Sequence, residues 1–259
     1  MTLTALRLEG ARALVAQRLG LDFPERRRDD LERALGGRDL AQLWAQPVTG
    51  PEWRDFIHAL TVRESHFFRD AELFAALEQR VLPDLIAGRR ERLAIWSAGC
   101  AGGEEPYSLA LLLERLLGRH AARAVTLIAT DVDAIALEAA RRGLYTDWSL
   151  RGLPAWARVR GLRTRARRHE VLPELRARVS FAPLNLAADP YPCGLDLIVC
   201  RNVLMYFTEP ARRAAVERLA AALAPGGWLA LSPLDAASER PDGLQPAGPL
   251  WLLRRETAA

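Results

Sequence analysis

The chain has 259 residues, 50% hydrophobic and 26% charged, a composition that excludes disordered and fibrous classes. No apolar run approaches the roughly 20 residues a bilayer span needs, and the amphipathic opening MTLTALRLEGARALVAQRLG, with an acid inside it, is unlike a signal peptide. Net charge is +4 with no lysine at all, and Cys100, Cys193 and Cys200 show no C-x-x-C spacing, which argues against a disulfide framework or zinc knuckle and makes a reducing cytoplasm the expected home.

Residues 1–60 read as short helices. Leu14, Val15, Arg18 and Leu19 fall at helical spacing, as do Leu31, Ala34 and Leu35, then Leu40, Leu43 and Trp44. Gly36-Gly37 and Gly50-Pro51 punctuate them, and Pro51 suits the first turn of a helix carrying Trp53, Phe56, Ile57 and Leu60. No strand pattern falls here, so a small helical domain is expected over 1–60. A linker region over 61–92 follows, with a helix around Ala71–Arg90.

From residue 93 strand-like and helix-like segments alternate. Strands are expected at Leu93–Ser97, Val125–Thr130, Val179–Ala182, Leu195–Cys200, Trp228–Ser232 and Leu250–Leu253, with helices at Tyr107–Leu117, Ala134–Arg142 and Pro210–Leu223. Such alternation predicts an α/β fold, a Rossmann-like doubly wound sheet, over 93–259. Between Arg151 and Arg178 nine arginines meet only Glu170 and Glu174, a local charge of +7. That stretch reads either as a solvated face or as a docking surface for an acidic partner, protein or nucleic acid.

The segment LAIWSAGCAGGEEPYSLALLL is a strand, a Gly-rich turn and a helix opened by Pro106, the place where a doubly wound sheet holds a nucleotide-like ligand. Gly99, Gly102 and Gly103 allow close backbone approach. Glu104-Glu105 at the helix start would repel a pyrophosphate, which needs the same N–H groups, or they simply cap the helix. A cationic cofactor without phosphate fits these acids, and S-adenosylmethionine is such a molecule. Asp131, ending the second strand, is placed for ribose hydroxyls, whereas Asp133 looks like the N-cap of the next helix.

The strings EWRDFIHALTVRESHFFRD, IWSAGCAGGEEPYSLALLL, IATDVDAIALEAARRGLY, LPELRARVSFAPLNL and DLIVCRNVLMYF, in that order, resemble the CheR-type methyltransferases over residues 5–254. The resemblance implies a methyltransferase fold with an N-terminal helical domain over the active site. It also implies methyl transfer from S-adenosylmethionine to glutamates of bacterial chemoreceptors. By the same resemblance Arg69 sits beside the methyl group and the acceptor, Glu104 and Asp131 hold the amino-acid end and ribose, and Asn185 and Leu186 border the adenine. Arg201 and Asn202 line the pocket, and Tyr206 lies near the sulfonium. Ser65 stands where the family usually has threonine, and Arg63 where it usually has asparagine, a cation close to a cationic cofactor unless Glu64 or an acceptor carboxylate pairs with it. Ser232-Pro233-Leu234-Asp235 replaces Gly-His-Ser-Glu. Residues 148–178 match a small β insert that docks receptor tails in some members. Here the insert is crowded with arginine and has only Gly152 and Gly161, which argues against strands in it.

The expected chemistry needs no His–Asp or Ser–His constellation, and His58, His66, His120 and His169 lack metal-ligand spacing, so no metal is expected. The expected partner is an acidic helical region of a chemoreceptor or related signalling protein, met by the insert and by Arg26-Arg27-Arg28. Neither nucleic acid nor membrane insertion is expected, and nothing demands more than a monomer. Two alternatives remain open: another protein or a small carboxylate as acceptor, and a non-catalytic regulator that binds S-adenosylmethionine or its product S-adenosylhomocysteine.

Overall fold

A computed structural model describes residues 3–88, 92–118, 124–233, 235, 241–249 and 251–256. Helices α1 (Leu3–Leu19), α2 (Arg28–Leu35), α3 (Leu40–Ala45) and α4 (Pro51–Leu60) wrap a cluster of their own, in which Leu14, Leu31, Leu43, Trp53 and Phe56 are buried. Each helix brings one apolar face to it. The buried Trp53 indole donates to the Leu43 carbonyl at 3.0 Å, and Pro51 opens α4 as its sequence suggests.

The helix expected around Ala71–Arg90 is present, with a wider turn inside it. It runs as α5 (Ala71–Ala76), a π turn (Leu77–Val81) and α6 (Leu82–Ala87). Pro83 has no N–H to give and its ring crowds the carbonyl four residues back, so the wider turn precedes it. Arg89 and Arg90 of that expected helix lie outside the described residues, as do His120, Leu234 and Leu250.

The main sheet has seven strands in the order β6-β2-β1-β7-β8-β10-β9. These are β1 (Leu93–Ala98), β2 (Val125–Asp131), β6 (Val179–Pro183), β7 (Leu195–Cys200), β8 (Leu223–Leu231), β9 (Leu244–Pro246) and β10 (Leu252–Arg255). Strands β6, β2, β1, β7 and β8 are parallel, while β10 runs antiparallel to β8 and β9. The short β9 has no counterpart in the sequence reading. Strand β7 is buried along its whole length, as a central parallel strand must be. Helices α7 (Glu104–Leu117) and α8 (Ala134–Arg142) connect consecutive strands, and the strand order reverses between β1 and β7. Connections there leave in opposite directions and open a crevice at the carboxyl ends of the strands.

The insert does form strands, against the expectation from its arginines. A second sheet, β3 (Leu144–Tyr145), β5 (Arg168–Val171) and β4 (Leu162–Arg165) in that order, is antiparallel. Its sequence permits this because the apolar Leu162 and Val171 are buried while Arg163, Arg165 and Arg168 stay in water. Charged side chains on a short edge strand also guard it against unwanted pairing.

Candidate functional site

The crevice is built first by the turn after β1. Gly99 has φ +77°, and a Cβ on it would stand 2.3 Å from Val203 Cγ2, so only glycine fits. The Gly99 and Cys100 amides donate to the Thr130 carbonyl at 2.8 and 2.9 Å, which folds the turn over the end of β2. Asp131 is fixed there by two backbone donors, Ala101 N–H to Oδ2 at 2.8 Å and Asp133 N–H to Oδ1 at 2.9 Å. Burial outweighs those bonds and raises its carboxyl to about 6.

The two glutamates at the start of α7 part company. The helix begins at Glu104, earlier than the Tyr107 start and Pro106 opening read from the sequence. Glu105 lines the crevice, accepts from Ser97 Oγ at 2.6 Å, and is pushed by burial to about 7. Glu104 does not line it; its Oε1 accepts from Ser149 Oγ at 3.1 Å.

The other walls come from residues 60–74, which form a strap between the helical domain and the sheet, and from the loops after β6 and β7. Arg69 donates to the Glu64 carbonyl at 2.6 Å rather than pairing with Asp70 or Glu72. Asp70 is instead held by the buried Arg201 at 3.0 Å, and Arg201 also donates to the Leu231 carbonyl at 2.7 Å. Asn202 N–H donates to Ser232 Oγ at 2.7 Å. Asn185 ties the loop after β6 to the end of α1 by donating to the Arg18 carbonyl at 2.7 Å. Arg63 is not paired with Glu64: its guanidinium bonds to the His58 carbonyl and lies 3.8 Å from Asp133. Glu64 goes to Arg151 of the insert at 3.4 Å.

Together these surfaces line one open cavity. All but one of the site residues picked from the sequence line it, from Arg63, Ser65 and Arg69 through Gly99 and Asp131 to Leu186 and Tyr206; the exception is Glu104. Sequence reasoning read Glu104-Glu105 as a pair and gave the cofactor contact to Glu104, it missed Asp70 as a wall residue, and it saw Arg27 only within a run of three arginines. Arg27 reaches in from the helical domain, with its guanidinium 4.2 Å from the Phe23 ring centroid and 5.6 Å from that of Tyr206.

The backbone is strained here. Among the described residues five non-glycines have positive φ; Asp70, Ala101 and Asn202 line the cavity, and Phe68 lies two residues before Asp70 on the strap. Such conformations cost on the order of 1 kcal/mol each and persist where the surroundings dictate them.

The donor set fits S-adenosylmethionine. The acids Glu105, Asp131 and Asp70 suit its positive charges and ribose, and their carboxylates would repel phosphate. Among the described residues no group of three or more His, Cys, Asp and Glu is placed to hold a metal, and no helix is long and apolar enough to cross a membrane.

A family model described as CheR methyltransferase, SAM binding domain, matches residues 63–246. The chain is 39% identical over 176 residues to a chemotaxis protein methyltransferase of Listeria monocytogenes, covering 68% of this chain and 66% of that protein. It therefore spans just under two thirds of that relative's length. It is 39% identical over 197 residues to chemotaxis protein methyltransferase 1 of Pseudomonas aeruginosa, covering 73% of this chain and 72% of that one. With the chemotaxis protein methyltransferase of Escherichia coli it shares 35% identity over 233 residues, 83% of this chain and 79% of that one.

Proposed function

The chain belongs to the CheR methyltransferase family, and on that premise we propose that it methylates glutamate side chains of a chemoreceptor-like signalling protein, using S-adenosylmethionine. The observation that carries this reading is a division of charge within one cavity. Glu105 at the start of α7 and Asp131 at the end of β2 line it from the sheet side, while Arg27, Arg63 and Arg69 line it from the helical domain and the strap, where Asp70 is already paired with Arg201. The acids suit a cationic cofactor and the arginines an anionic acceptor.

When bound, S-adenosylmethionine supplies an electrophilic methyl carbon on a positively charged sulfur. Asp131 would take the ribose hydroxyls, and Glu105 the positive charge at the amino-acid end. Leu186 and Asn185 would border the adenine, and Gly99 would let it close on the turn. An acceptor glutamate, with a pKa of about 4.3, is already ionised at neutral pH and needs no general base. The protein's work is therefore to orient that carboxylate and exclude water. Arg69, anchored through Glu64, presents a planar fork that can bind a carboxylate in two contacts. Tyr206 walls the same end, its backbone carbonyl held by the Asp22 amide at 2.7 Å. The +7 insert adds charge complementarity to an acidic receptor region.

The test is incubation with methyl-labelled S-adenosylmethionine and the cytoplasmic fragment of a chemoreceptor from the same organism. Base-labile label mapping to glutamates is expected. Base-stable label, or transfer only to small carboxylates, would overturn the assignment of the acceptor.

A further inference from the structure

Glu104 is the one carboxyl picked from the sequence that does not reach the cavity. It is 6% exposed. The groups facing its carboxyl are its own backbone N–H, the Ser149 and Ser65 hydroxyls and, at longer range, Arg151. Its Oε2 has no full hydrogen bond among the described residues and packs against Gly102, where a Cβ would stand 2.8 Å away. Ser149 belongs to a short helical turn (Asp147–Leu150) at the start of the insert.

The same stretch touches the strap repeatedly. The Ser149 carbonyl accepts from Phe67 N–H at 2.8 Å, and Arg151 reaches Glu64 at 3.4 Å. Gly152 lies so close that a Cβ would stand 2.5 Å from the Phe67 carbonyl, and Trp156 meets Phe68 edge to face at 5.7 Å. All of these contacts fall on Glu64–Phe68, the residues immediately before Arg69. Glu64 in turn holds the Arg69 guanidinium.

We propose that Glu104 is a positioning residue and not a ligand of the cofactor. With Ser149 it fastens the Ser65–Arg69 strap to the insert, so that the setting of Arg69 depends on how the insert sits. Glu105, one residue on, is the carboxylate the cofactor meets. The turnover and product-binding arms of the test rest on the methyltransferase reading, whereas the hydrogen-exchange arm does not.

Glu104→Gln keeps an oxygen for Ser149 and removes the charge, whereas Glu104→Ala removes both. S-adenosylhomocysteine affinity of Glu104→Gln should stay within about 3-fold of the native protein, while Glu105→Gln weakens it more than about 10-fold. Hydrogen exchange at residues 64–69 should quicken in Glu104→Ala and in Ser149→Ala, with the double variant no faster than the worse single one, because residues acting through one contact are not additive. In turnover, Ser149→Ala should lower kcat about 10-fold with KM for S-adenosylmethionine near native, and Glu104→Gln should restore the rate that Glu104→Ala loses. Equal loss of product binding in Glu104→Gln and Glu105→Gln, or additive exchange effects, would overturn the proposal. If the native protein turns over no receptor fragment, the proposed function fails, and the exchange arm still decides the role of Glu104.

Discussion

Arg63 and Asp133 face each other across the junction between the helical domain and the sheet, Nη1 to Oδ2 at 3.8 Å. The same Oδ2 accepts from Thr61 Oγ1 at 2.9 Å and meets His58 Nδ1 at 2.8 Å, while Oδ1 caps α8 through the Ile135 and Ala136 amides at 3.0 Å. One buried carboxylate thus starts a helix, ties down the end of α4 and offsets the cation that the strap brings to the cavity. Asp133→Ala should cost about 1–2 kcal/mol for the cap alone and weaken S-adenosylhomocysteine binding about 10-fold. Arg63→Ala, which removes a cation already offset, should change that affinity by less than about 3-fold. Calorimetric titration of both variants checks the pair.

Arg201 is a strut. Its buried guanidinium holds Asp70 and the end of β8 and lies 4.9 Å from the Trp251 ring centroid. Removing one partner of a largely buried pair strands the other, so Arg201→Ala should lower unfolding free energy by about 2–3 kcal/mol. Asp70 is partly exposed, which keeps the figure below the fully buried case. Denaturant midpoints measure it.

Gly99→Ala combines a positive φ with a methyl group 2.3 Å from Val203. It should destabilise the fold by about 1–3 kcal/mol and abolish product binding, because the turn that shapes the cavity must move. Thermal melts and titration on the same sample separate the two effects.

Much of this was legible in the sequence. Apolar runs located the parallel strands, and the Gly-rich turn with the acid ending β2 located the crevice. The two glutamates could not be told apart, because α7 starts at Glu104 and neighbours on a helix point about 100° apart: Glu105 turns to the cavity and Glu104 to the insert. The small sheet was hidden because arginines at its edge read as a solvated run, although Leu162 and Val171 carry its buried face. Arg27 was indistinguishable from Arg26 and Arg28 until the helical domain packed it beside Tyr206.

Cofactor binding should depend on pH. Glu105 and Asp131 are raised to about 7 and about 6, so both are largely neutral at pH 5.5; ionised, Glu105 meets the ammonium group and Asp131 accepts more strongly from the ribose hydroxyls. S-adenosylhomocysteine affinity should therefore rise between about pH 5.5 and 7.5, and Glu105→Gln should flatten the upper part of that rise. Stability of the unliganded protein should change with the opposite sign. Carboxyls raised in the folded state stabilise it below their ordinary range, and that stability is lost as pH climbs through about 6 to 7. Titrations and melts across that interval check both slopes.

The most direct test is calorimetric titration of the native chain and of Asp131→Ala with S-adenosylhomocysteine. Low-micromolar, one-to-one binding that disappears in Asp131→Ala is the predicted result. An undetectable signal with the native chain, or binding that survives Asp131→Ala unchanged, would contradict the assignment of this cavity as the cofactor site.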